Sequence, residues 1–166
     1  MMQIKTTPLE ILANLSIEQL DLAKQFVDLG IRLNCSVNVK HYPKDKTWKC
    51  KFTTKKPKKN LLCTLWITDS HEWLVQLRLF NIHTFIELVQ TRSENVKNII
   101  KSHGGSCTGC NNDCGRVDDF CLDNVTYNKC CMCNYVFKNL SASDWVSVLE
   151  IMEVEHRMIT SEVAKP

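Results

Sequence analysis

A chain of 166 residues, 44% hydrophobic and 23% charged, can bury a core of its own, which excludes a disordered tail or a cross-link-dependent peptide. Its net charge of +3 is too small to mark the whole chain as a polyanion binder. No apolar run approaches the roughly 20 residues needed to span a bilayer, so no membrane association is expected.

The first residues, "MMQIKTTPLEILANL", lack the basic and long apolar regions of an export signal. The expected compartment is therefore cytoplasmic, where thiols stay reduced. Thr7, Pro8 and Glu10 read as a helix start, and Ser16-Ile17-Glu18-Gln19 as a second, of capping-box form. Leu20, Ala23, Phe26 and Val27 recur at helical spacing, and Gly30 is expected to stop this helix in a left-handed conformation.

From Ile31 the apolar period becomes two, through Leu33, Cys35, Val37 and Val39. Trp48, Cys50 and Phe52 continue it after the turn "YPKDK". The runs "LLCTLWIT" (61–68) and "EWLVQLRLF" (72–80) complete a four-stranded antiparallel meander. Cys35, Cys50 and Cys63 fall in phase with apolar neighbours and read as small core hydrophobes. Residues 40–59 hold nine lysines against Asp45 alone. In this register those lysines decorate strand surfaces and a hairpin tip, so no nucleic-acid partner is expected. Leu62, Trp66, Leu74 and Phe80 fall on the second sheet face. A covering helix accounts for them, or else a ligand cleft with Trp66 as wall and Arg78 as polar anchor.

Two short helices follow, capped by Asn81 and Ser93, with Gly104-Gly105 ending the second. The last helix opens at Ser141. Its inner stripe is Trp145, Val148, Leu149, Met152, His156 and Ile159, with Glu150, Glu153 and Glu155 on the remaining surface. His103 and His156 read as a helix-end residue and a packing residue rather than as ligands.

Between these helices lies a segment with seven of the ten cysteines. Cys107-Thr-Gly-Cys110 has the spacing that turns two sulfurs toward one ion, and Cys114 adds a third. Cys133 is the first choice for the fourth ligand, because it leads into the strand-like "YVF"; Cys130 and Cys121 are the alternates. Four thiolates make a closed structural zinc site, and its binding energy would fold a segment that has little apolar surface. An iron–sulfur cluster is the alternative cofactor, although the ferredoxin spacing is absent. A thiol redox pair would need Cys107 to open a helix beside a strand.

The hairpins beginning "TWKCKF", the two short helices, the C-x2-C-x3-C cluster with a later cysteine, and the closing "LSASDWVSVLEIMEVE" together resemble a family. These are small cytosolic proteins of anaerobic Gram-positive bacteria, of no established activity. The likeness covers about residues 45–155. It implies a metal site and no substrate.

The expectation is one α+β domain. It divides into N-terminal helices (1–30), the sheet (31–80), helices (81–103), a metal-stapled Cys-rich segment (104–137) and a C-terminal helix (141–160). No catalytic constellation is visible, so the expected function is a non-enzymatic, zinc-stabilised binding or regulatory module for a ligand or protein partner. The alternatives are a redox or iron–sulfur protein, and a small-molecule or nucleic-acid sensor using the sheet face and the lysine stripe.

Overall fold

The computed structural model describes residues 6–13, 15–56, 59–103, 119–128 and 134–161. Helix α1 (Pro8–Leu12) starts on a full capping box, in which the Thr7 hydroxyl accepts from Glu10 N–H and the Glu10 carboxylate accepts from Thr7 N–H. Helix α2 (Ile17–Arg32) starts on Ser16, whose Oγ accepts from Gln19 N–H.

The end of α2 corrects the sequence reading. Gly30 lies inside the helix, and the left-handed residue is Asn34, with φ 55°. Asn34 N–H donates to Ile31 C=O and Cys35 N–H to Gly30 C=O, the paired bonds of a Schellman motif. Asn adopts this conformation because its short amide tolerates it, so Gly30 was free for another use. A Cβ on Gly30 would stand 2.2 Å from Phe52 Cδ1, so the missing side chain lets α2 press against the sheet. Ile31, expected at the start of the first strand, is instead an exposed helical residue.

The sheet has five antiparallel strands where four were expected, in the order β1-β2-β3-β4-β7. These are β1 (Ser36–Tyr42), β2 (Thr47–Thr53), β3 (Leu61–Thr68), β4 (Trp73–Arg78) and β7 (Asn134–Phe137). The first four form the expected meander. The "YVF" run then returns from the Cys-rich segment to pair with β4, Tyr135 opposite Leu77 and Phe137 opposite Val75. This edge could not be read locally, because a strand of four residues shows too little alternation to declare its neighbour.

One sheet face is closed by α2 and by α5 (Ala142–Ser161). Trp145 of α5 stacks on Trp73 of β4, ring centroids 4.4 Å apart, and Phe26 of α2 meets both rings edge-on. Cys35, Cys50 and Cys63 are buried on this side, as their phase requires. Leu62, assigned to the opposite face, is also fully buried, because a register shift beside Phe52 and Thr53 breaks the alternation there.

After β4 come a 3-10 turn (Ile82–Thr84), α3 (Ile86–Gln90) and α4 (Glu94–His103). Glu155 of α5, expected in solvent, is 0% exposed. Its carboxylate accepts the backbone N–H groups of Phe80 and Asn81 and the Asn81 amide, at 3.0–3.1 Å. A buried carboxylate is tolerable here because it satisfies N–H groups that the turn cannot pair for itself.

The Cys-rich segment is not wholly without its own packing. It contains a hairpin of β5 (Asp119–Leu122) and β6 (Val125–Asn128). Asp123 and Asn124 both take positive φ, the requirement of a tight two-residue hairpin turn. Phe120 and Leu122 are buried, and Phe120 stacks on Tyr127. Apolar burial therefore holds residues 119–128, against the expectation that a metal must supply all of the ordering.

Candidate functional site

Of the cysteines assigned to a metal, Cys107, Cys110, Cys114, Cys130 and Cys133 lie outside the described residues, as does Cys131. Cys121 is described. It alternates with buried Phe120 and Leu122 on β5 and is exposed. Among the described residues no group of three or more His, Cys, Asp or Glu side chains is placed to hold a metal.

What the structure does show is where the segment leaves the frame and where it returns. Helix α4 packs against β7, and the ring of its last residue, His103, lies 6.1 Å from that of Tyr135. The His103 Nδ1 is 2.8 Å from the Ile99 carbonyl, in the helix-end role expected of it.

The hairpin inside the segment is tied to the same frame by Asp123. Gln90 grips this residue twice, donating from Nε2 to Oδ1 and accepting the Asp123 N–H on Oε1. Lys97 and Lys101 of α4 pair with the same carboxylate, and Glu94 pairs with both lysines. The hydrogen bonds from Lys101 and Lys97 hold the Asp123 carboxyl down at about 2. Both lysines are correspondingly raised, Lys97 chiefly by its hydrogen bond to Glu94 and Lys101 by its bond to Asp123. A folded carboxyl below its unfolded value stabilises above about pH 4, and that contribution is lost as the pH falls toward 2. The Asp123→Asn protein should therefore be less stable than the parent by a constant amount above about pH 5. The gap should close between about pH 4 and pH 2, as urea unfolding across that range will show.

The core thiols have the opposite electrostatics. Burial pushes Cys50 up to about 12 and raises Cys63 still more decisively. Cys35 is raised too, by burial that outweighs the nearby Lys55. Burial thus disfavours the thiolate at all three, which suits packing, and they form no group placed to hold a metal. Burial also lowers His156 on the inner stripe of α5, and its contact with the Leu33 backbone opposes the shift only in part.

Trp66 and Arg78, proposed as wall and anchor of one cleft, share the outward sheet face but do not meet. Trp66 pairs with Leu74, four residues along β4 from Arg78, a separation of about 13 Å at strand rise. Arg78 instead donates from Nε to Asn134 Oδ1 of β7 at 3.1 Å. A hollow of about 140 Å3 does lie beside Trp66, bounded by Thr68, Glu72, Trp73, Leu74, Lys138 and Asn139, and Arg78 takes no part in it. The Trp66 Nε1 is buried there without a hydrogen-bond partner.

The sequence reading missed what surrounds Trp66. Lys49 lies directly across from it in the β2–β3 register, and its Nζ sits 3.6 Å from the Trp66 ring centroid and 4.2 Å from that of Tyr42. Lys49 and Trp66 were visible in the sequence as outward residues, but Tyr42 reads there as the start of a turn and is instead the last residue of β1. Their meeting depended on two registers, β1 against β2 and β2 against β3. Comparison with family models, curated proteins and solved structures returned no match to this chain.

Proposed function

We propose that this chain is a cytoplasmic, non-enzymatic binding module whose Cys-rich segment is stapled by one structural zinc ion. Cys107, Cys110 and Cys114 are three of its ligands and Cys133 the fourth, with Cys130 and Cys121 as alternates. The observation that carries this reading is the approach of His103 to Tyr135. Cys107 follows His103 by four residues and Cys133 precedes Tyr135 by two. A chain reaches at most about 3.5 Å per residue, so sulfurs from both flanks can meet at one ion without disturbing the sheet.

Two further points support it. Burial in the core accounts for Cys35, Cys50 and Cys63, so the remaining cysteines concentrate in one segment. Residues 104–137 hold seven of the ten cysteines, and in the reducing compartment expected for this chain such thiols stay available to a metal. Four thiols lose their protons on binding the ion, and the binding free energy stabilises the folded form. A closed site of this kind leaves no open position for catalysis.

Elemental analysis and visible absorption of the purified protein test this reading. One zinc per chain in a colourless solution is the expected result, with four additional reactive thiols after chelation. A brown solution containing iron would replace it with the iron–sulfur alternative.

A further inference from the structure

The outward face of the sheet carries a chemistry that the fold does not use. Lys40, Tyr42, Lys49, Lys51, Trp66 and Arg78 all project from it, and none of its five strands contains an aspartate or glutamate. Apart from Thr47 and Thr64, which are buried, and the bulge beside Leu62, the outward positions keep access to solvent.

Of these cations, Lys49 alone has a carboxylate partner among the described residues, Asp45 of the adjoining turn at 3.7 Å. Among the described residues no carboxylate lies within ion-pair distance of Lys40 or Lys51, and Arg78 bonds to a neutral amide. Lys40, Lys49 and Trp66 thus lie in one cross-strand row, with Tyr42 two residues along β1 from Lys40, Lys51 in the neighbouring row and Arg78 farther along β4.

Against the expectation drawn from the lysine run alone, we propose that this face binds a single strand of nucleic acid, because the register sets its cations beside Tyr42 and Trp66. Lys40, Lys51 and Arg78 meet its phosphates, and Trp66 and Tyr42 receive its bases once Lys49 swings from their rings to the backbone. Ring faces reward an unpaired base with stacking, and the cations follow a polyanion that lies flat. A duplex hides its base faces, and this sheet projects no helix or ribbon into a groove. A membrane surface is disfavoured because the large exposed apolar side chains, Leu9, Ile17, Ile31, Val125 and Val146, all lie off this face. An acidic protein would use the cations but leave both rings idle.

The proposal names the partner of the binding module and so rests on that reading, while the metal is measured separately. Fluorescence anisotropy of labelled 12-residue oligo(U) and oligo(dT), titrated with the zinc-loaded chain, provides the test. Micromolar binding is expected at about 50 mM salt, with a log–log salt slope of about −2 for three phosphates neutralised. The Lys40→Glu/Lys51→Glu protein should bind at least about tenfold more weakly, with a shallower slope. Trp66→Ala should weaken binding by about fivefold or more through lost stacking. Tyr42→Ala provides the same readout if Trp66→Ala fails to fold by circular dichroism. The inference is overturned by absence of binding, by affinity unchanged in these variants, or by tighter binding to the matching duplex or to phosphatidylserine vesicles. No oligonucleotide binding by a chain with one zinc strikes this inference alone. Oligonucleotide binding by a chain without zinc strikes the metal reading alone.

Discussion

Replacing Gly30 by alanine is expected to destabilise the protein by about 3 kcal/mol, although Gly30 lies in a helix that alanine ordinarily favours. In an exposed helix interior the same change would stabilise by about 1 kcal/mol. Here the added methyl carbon falls 2.2 Å from Phe52 Cδ1, and Phe52 is fully buried against β1 and β3. Neither the ring nor the helix can yield without opening the contact between α2 and the sheet. At this size a loss of 1 kcal/mol lowers the melting temperature by about 2–4 °C, so a drop of about 6–12 °C is predicted. The cause is separable by a double-mutant cycle with Phe52→Leu, which shortens the obstructing side chain. The double mutant should be more stable than the sum of the single changes requires. A left-handed helix stop at Gly30 would instead show additive losses.

The second large effect is expected in the Cys-rich segment. Cys110→Ser removes one of four proposed thiolates, and the remaining three should not retain the ion under mild chelation. The structure limits how far the damage spreads. Residues 119–128 keep Phe120 and Leu122 buried and stay tied to α3 and α4 through Asp123, and β7 stays paired with β4. Limited proteolysis should therefore cut Cys110→Ser within 104–118 or 129–133, at least about tenfold faster than the parent. The sheet core should survive, since its burial does not involve the cluster. Loss of the β-sheet circular dichroism signal in this variant would mean that the metal organises far more of the chain.

Most of the sheet was legible because its strands alternate cleanly. Trp48, Cys50 and Phe52 could take only one phase, and Cys63, Leu65 and Ile67 followed. The helix starts at Thr7, Ser16, Ser93 and Ser141 were legible for a local reason, since each caps a backbone N–H within three residues. What escaped was tertiary. Gly30 looked like a stop because glycine is the commonest left-handed cap, and only the position of Phe52 reveals its actual use. Glu155 looked solvated because nothing in its own helix announces the N–H groups of Phe80 and Asn81 that its carboxylate accepts. The β5–β6 hairpin was carried by a two-residue Asp-Asn turn, a weaker signal than Asn-Gly, amid cysteines that drew attention to metal. Lys49, Lys51, Trp66 and Arg78 were legible as outward-pointing residues, but Tyr42 reads locally as part of a turn, and the Tyr42–Lys49–Trp66 contact exists only across three strands.

Zinc stoichiometry in two single-cysteine variants tests the central claim most directly. Cys63→Ala removes a buried core thiol, and should lower stability while leaving one zinc per chain. Cys110→Ser should leave a folded sheet with no zinc after brief chelation. Full zinc occupancy in Cys110→Ser, or loss of zinc in Cys63→Ala, would contradict the assignment of the metal to the segment between α4 and β7.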